Sequence, residues 1–184
     1  MLYVDFDELR WVNGYLSYIK PLTDEDFEHL KTFAFMWDMF QAKACKGVAS
    51  PQNIADFVLT KLKLERQNRS SSVIDAYYSY FVNRYVKDKE LNSLFYRMIR
   101  DKAEAFNTER GEYTVKEFIG DTLLNSDSTE INKTLACLLI AYRWRSNFFQ
   151  EDRDPINVSL QYKNFNMANK LIAMVLQQYK KNND

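Results

Sequence analysis

The chain has 184 residues, 46% apolar and 15% aromatic, which is enough to bury the core of one domain or of one domain with an appended hairpin. Four glycines and three prolines give too little punctuation for the many tight turns of a sandwich or barrel, so the composition predicts an all-α chain. Lys plus Arg and Asp plus Glu number 25 each, and zero net charge argues against a general electrostatic binder of nucleic acid or membrane while leaving room for a local basic cleft.

The opening MLYVDFDELRW is acidic where a signal peptide would be basic. A first helix is expected over residues 3–19, presenting Phe6, Leu9, Val12, Leu16 and Ile19 and ending before Pro21, with Gly14 weakening it. Thr23 is a good N-cap for a second helix, and Asp24, Glu25 and Asp26 suit its positive end. That helix carries Phe27, Leu30, Ala34, Trp37 and Phe40 at core spacing and stops near Gly47. Ser50-Pro51 opens a third, with Ile54, Phe57, Val58, Leu62 and Leu64 inward. Its basic end, Lys61, Lys63, Arg66 and Arg69, is interrupted by Glu65 and reads as a solvated helix end.

Residues 67–72, QNRSSS, read as a loop. From Val73 a helix shows Tyr77, Tyr78, Phe81, Val82 and Tyr85, whose spacing fits core packing better than base stacking. It breaks or bends near Lys87-Asp88-Lys89, and Leu91, Leu94, Phe95, Met98 and Ile99 form the next apolar stripe. Residues 106–113 read as an exposed loop around Gly111, after which Thr114 caps a short helix with Phe118, Ile119, Leu123 and Leu124. A polar stretch, Asn125–Thr129, leads into the most apolar run of the chain, and a last amphipathic helix is expected over about 159–180. No repeat or domain boundary interrupts this series, so residues 1–184 are expected to form a single antiparallel helical bundle.

No uncharged apolar run approaches the roughly 20 residues of a membrane span. The longest, Thr134–Tyr142, lies between Lys133 and Arg143. A cytoplasmic protein without membrane association is expected. Cys45 and Cys137 have no paired spacing and read as small buried residues in a reducing setting. His29 is the only histidine and no carboxylate or cysteine stands beside it at ligand spacing, so it reads as a surface residue. Neither a phosphate-binding loop nor a dinucleotide fingerprint is present, and no metal or cofactor is expected.

The chain is organised around Thr134–Gln150, TLACLLIAYRWRSNFFQ. No Pro or Gly interrupts it, so one helix can carry both its apolar first half and its polar second half. Arg143, Ser146, Asn147 and Gln150 fall at i, i+3, i+4 and i+7 and share a stripe, while Trp144 and Phe148 continue the apolar side above Ile140. Such a stripe either surfaces at the domain edge, its cations complementing the helix C-terminus, or builds a site.

The segment YRWRSNFFQ resembles the signature near the C-terminus of the HEPN superfamily, the higher eukaryotes and prokaryotes nucleotide-binding domains, often written R-x-R-N-N-x-F-H. Arg143 and Arg145 stand at the two arginines, Ser146 and Asn147 at the asparagines, and Phe149 before the terminal position. That position holds Gln150 in place of histidine, and Glu151 stands where glycine is frequent. The likeness covers about ten residues closely and the motif-bearing C-terminal helices, about 130–180, in outline.

The resemblance implies a HEPN-like helical bundle that dimerises by packing its motif helices, here through Leu135–Gln150. In active members a shared cleft cleaves RNA without a metal, arginine holding phosphate and histidine moving protons. Toxin–antitoxin and defence systems are the common setting. Three functions follow as expectations. One is a dimer with a degenerate site that binds RNA, nucleotide or a protein partner. A second is a working metal-independent endoribonuclease, and a third is a structural helical adaptor without a nucleic-acid role.

Overall fold

The computed structural model describes residues 6–16, 21–64, 73–100, 104–149 and 162–183, the side chains of Leu16, Phe148, Phe149 and Tyr162 excepted. The expected loop at 67–72, Leu160, Ile19 and Gln150 lie outside the described residues. Among the described residues the architecture is mainly helical, with eight α-helices and two short β-hairpins. The helices are α1 (Glu8–Leu16), α2 (Asp24–Ala44), α3 (Pro51–Asp56), α4 (Val73–Tyr85), α5 (Ser93–Ile99), α6 (Val115–Leu124), α7 (Glu130–Phe149) and α8 (Tyr162–Lys181).

Helix starts are where local chemistry is most readable. Thr23 caps α2 and Asp26 reaches back to the Thr23 backbone, a reciprocal capping box, and Thr114 and Glu117 repeat it at α6. Ser50 accepts the Asn53 amide ahead of Pro51 at α3. Asp7 accepts the Arg10 amide at 2.9 Å, which places Phe6 just before the cap. Phe6 therefore packs on Trp11 (centroids 6.2 Å) as a hydrophobic staple and is 53% exposed, not part of the core as its periodicity suggested. On α2 the fully enclosed face is Phe33, Trp37, Phe40 and Ala44, rotated from the expected Phe27, Leu30 and Ala34, which are only partly buried. The rotation follows from α8, which lies along α2 and sets Phe165 against Phe33 at 5.2 Å.

α3 continues as a π-helical turn, Phe57–Lys61, closed by the Leu62 amide on the Phe57 carbonyl at 2.9 Å. That turn keeps Phe57, Val58 and Leu62 within 1% of full burial.

Two segments expected to be irregular are hairpins. The break after α4 is a hairpin, β1 (Val86–Lys87) with β2 (Glu90–Leu91), turning through Asp88 and Lys89 at φ 53° and 64°. Two consecutive positive φ values match the twist of a tight hairpin. Asn92 holds it in place, donating to the Arg84 carbonyl at 2.8 Å and accepting the Leu94 and Phe95 amides at the start of α5. The segment 106–113, expected as a loop, is mostly the hairpin of β3 (Ala105–Thr108) and β4 (Gly111–Thr114). Its periodicity is too short to register in sequence, yet Phe106 is 1% exposed and packs edge-on against Phe118. The outer edge of β3 is closed by the Gln52 side chain, which accepts the Asn107 amide at 2.8 Å and donates to its carbonyl at 3.4 Å. One amide side chain thus stands in for a neighbouring strand.

At the centre lies α7, which packs against α3, α4, α5, α6 and α8. Leu135–Ala141 are all within 1% of full burial. The last helix adds Phe165, Ala168, Leu171, Ile172 and Val175 to the same core. No helix among the described residues is long and apolar enough to cross a membrane.

Candidate functional site at the end of the central helix

The polar stripe begins two residues beyond the fully apolar part of α7, and Arg143 is only 1% exposed. Its Nη1 donates to Glu104 Oε2 at 2.9 Å and its Nη2 to the Ile99 carbonyl at 2.8 Å. One turn on, Asn147 Nδ2 donates to the Met98 carbonyl at 2.7 Å. Met98 and Ile99 are the last residues of α5, whose terminal carbonyls lack intrahelical partners. A guanidinium and an amide at i and i+4 of α7 therefore close the end of α5, where a cation also complements the helix dipole. The chain leaves α5 through Arg100 at φ 49° and ψ 165°, a backbone region costly for any residue but glycine. Arg143 and Asn147 hold the two carbonyls just ahead of that turn.

Glu104, immediately before β3, is gripped from two sides. Besides the Arg143 ion pair, Tyr142 donates its hydroxyl to Glu104 Oε1 at 3.2 Å. Burial raises the Tyr142 pKa, and the neighbouring Glu104 charge adds to it. Ser146, one turn further along, is half-buried and hydrogen-bonds Tyr142. Two polar atoms in the layer have no protein partner: Arg143 Nε and Asn147 Oδ1.

Arg145 belongs to another face. Two residues apart on a helix, side chains diverge by about 200°, so Arg145 points away from Arg143 and toward α2. There burial lowers its pKa, and the Asp38 charge opposes that shift. Arg145 is half-buried. The structure thus brings Arg143, Ser146 and Asn147 to one side with Glu104 and α5, and sets Arg145 on the other. Gln150 lies outside the described residues.

Trp144 completes the turn from the apolar side, donating Nε1 to the Tyr85 hydroxyl at 2.9 Å and packing on Phe81 at 5.4 Å. Burial pushes the Tyr85 hydroxyl up to about 12. Tyr77, Tyr78, Phe81, Val82 and Tyr85 all line or border the core, in keeping with their spacing.

His29 sits on α2 with Nε2 3.7 Å from Glu25 Oε1. Nine residues separate it from Asp38, which at 1.5 Å per residue is roughly 13 Å along the helix axis, so it does not join the surroundings of Arg145. Cys45 and Cys137 are buried free thiols, and burial raises both pKa values. No group of three His, Cys, Asp or Glu side chains converges among the described residues.

Glu104 is the residue that sequence reasoning missed. An arginine and an asparagine at i and i+4 on an otherwise enclosed helix demand partners, but nothing local points to a carboxylate 39 positions away. Of the stretch expected to form a two-fold contact, Leu135–Ala141 are covered within one chain. No family model matches the sequence, and no curated protein or solved structure shows significant similarity to it.

Proposed function

We propose that the chain is a non-catalytic, HEPN-like helical binding domain in which a degenerate ribonuclease site serves recognition. The observation that carries this reading is the commitment of Arg143 to Ile99 and Glu104 at 1% exposure. A guanidinium whose two terminal nitrogens are spent inside the fold is not a fork for an external phosphate. Arg145, half-buried on the α2 side of α7, is the motif arginine that does not serve the end of α5.

Gln150 supports the same reading. Transphosphorylation needs a proton taken from the 2′-hydroxyl and one delivered to the leaving oxygen, and an amide exchanges neither near neutral pH. Loss of acid–base catalysis costs about 100- to 10,000-fold in rate. The ligand is RNA or a nucleotide, engaged at the Arg145 side of α7. A homodimer built from the turns beyond Tyr142 would set two such arginines near one axis. The toxin–antitoxin or defence setting follows from the motif resemblance.

The deciding experiment is an RNase assay in chelator on wild type, Gln150→His and Arg145→Ala, run beside RNA and nucleotide binding. Wild type is expected to bind without cleaving, Arg145→Ala to lose binding while keeping its fold, and Gln150→His to gain cleavage. Robust wild-type cleavage abolished by Arg145→Ala would overturn the reading in favour of an active endoribonuclease.

A structural adaptor is favoured by one separate feature. Trp11 and Tyr15 stack at 5.0 Å on the outside of α1, 52% and 72% exposed, beside Phe6. Aromatics of this kind are over-represented in protein contacts. Retention of all partner binding in Arg145→Ala and its loss in Trp11→Ala would transfer function to that face.

A further inference from the structure

The core side of α2 is Phe33, Trp37, Phe40 and Ala44, and its opposite side faces outward. Counting about 100° per residue from Phe35, Asp24, Glu28, Met39 and Ala42 fall within about 40° of it, and all are exposed. Lys46, just past the end of the helix, is exposed as well. Phe35 is 65% and Met39 37% exposed, and they stand near the middle of a helix about 30 Å long. An apolar centre thus lies between two charged ends on one outward stripe.

The two ends carry opposite charge. At the first, Lys31 matches Glu28 at 2.5 Å, and His29 Nε2 stands 3.7 Å from Glu25. The Glu28 hydrogen bond raises the Lys31 pKa, and the Glu28 and Glu8 charges add to it, which places Glu8 of α1 at the same end. Asp24 and Glu8 are the acidic excess there. At the other end Lys43 and Lys46 are exposed, and no Asp or Glu lies between Asp38 and Asp56. Further lysines gather beside them. Lys61 Nζ donates to the Ala44 carbonyl at 3.1 Å, and Lys63 Nζ to the carbonyl of Asn182, next to Lys180 and Lys181, at 3.2 Å.

An acidic first turn and a basic last turn suit the helix dipole. The dipole gives no reason for an exposed phenylalanine midway between them, or for a carboxylate supplied by another helix. Asp24 and Lys46 each stand eleven residues from Phe35. A two-fold axis through Phe35 therefore lays Asp24 of each copy beside Lys46 of the other. The same rotation sets Lys31 across from Met39, where the lysine stem is apolar. A stripe with this symmetry complements itself, which is what a second copy requires and an unrelated partner does not.

We infer that the outward face of α2 is a two-fold contact between copies of this chain, with Phe35 packed on Phe35 at the axis and Asp24 meeting Lys46 on either side. One helix per copy makes a small interface, under about 1,200 Å² in total, so the dimer is reversible. The inference is independent of the α7 motif, since none of the five motif residues belongs to this face.

Sedimentation velocity on the full chain at low salt, over a dilution series, tests it. A monomer–dimer equilibrium with a Kd of about 10–100 μM is expected for an interface of this size. Phe35→Glu should weaken it about thirtyfold, the effect of losing a central aromatic anchor. Phe35 is exposed, so the fold should survive, with Met39→Glu as the substitute if circular dichroism shows otherwise. Charge exchange tests the symmetry. Asp24→Lys and Lys46→Glu should each dimerise poorly alone, and an equal mixture should form the mixed dimer about fivefold more tightly, the scale of two exposed ion pairs. Asp24 takes no part in the Thr23–Asp26 capping box, so its replacement leaves that box in place. A monomer at 1 mM on the order of a hundred times below which association is expected, a dimer unchanged by Phe35→Glu, or a mixture no tighter than its components would overturn the proposal. A dimer lost in Trp11→Ala but kept in Phe35→Glu would overturn it in favour of a contact on α1.

Discussion

The two halves of α7 bury side chains by different means. Leu135–Ala141 exclude water by apolar packing alone, and their helix satisfies its own backbone. Arg143 and Asn147, at 1% and 7% exposure, are buried because the end of α5 presents carbonyls with no partner of their own. The contrast shows that a polar stripe on a central helix is not by itself a site. A guanidinium can be consumed by the fold, and its neighbour two residues on faces a different helix altogether.

The largest effects should come from emptying either half. Leu138→Ala removes a fully enclosed side chain and is expected to cost about 2–5 kcal/mol. Arg143→Ala strands Glu104 and the α5 carbonyls, and breaking a buried pair costs about 3–5 kcal/mol. The lower end applies here because Glu104 retains 28% side-chain exposure. Urea unfolding measures both, and Arg143→Met, which keeps the stem, should recover part of the loss. A stability change under about 0.5 kcal/mol for Arg143→Ala, the size of an ordinary surface substitution, would show that the fold does not depend on Arg143.

Asn147→Ala should cost less, about 1–3 kcal/mol for one unsatisfied buried carbonyl. Its effect should be small once Arg143 is already alanine, because both serve the end of α5. A fully additive double mutant would show that the two act separately.

The smallest effect concerns Tyr85, beside Trp144 at the junction of the halves. Its folded pKa is raised to about 12, above the roughly 10 of a free phenol. The folded chain therefore holds the proton more tightly than the unfolded chain. Its stabilising contribution is complete below pH 10 and is lost as pH rises from about 10 to 12. Thermal unfolding across that window should fall less steeply in Tyr85→Phe than in wild type. An identical slope would remove Tyr85 from the alkaline response.

Legibility along the chain followed locality. Thr23, Ser50 and Thr114 announce their helices because a cap interacts with amides two or three residues on. The hairpin of β3 and β4 was invisible because it is four residues a side and derives its order from contacts elsewhere: Gln52 on its edge and Phe118 under Phe106. The rotated face of α2 was likewise set by α8, more than a hundred positions away.

The amino-acid sequence by itself determined a mainly helical chain, the starts of its main helices and the central place of Thr134–Phe149, since propensity, capping and apolar periodicity act within a few residues. Tertiary structure alone decided what the polar half of α7 does. Arg143, Arg145 and Asn147 are a motif in one dimension. In three dimensions Arg143 and Asn147 meet Ile99, Met98 and Glu104 while Arg145 meets α2, because a side chain's role is set by whatever unsatisfied group the fold brings within about 3 Å of it.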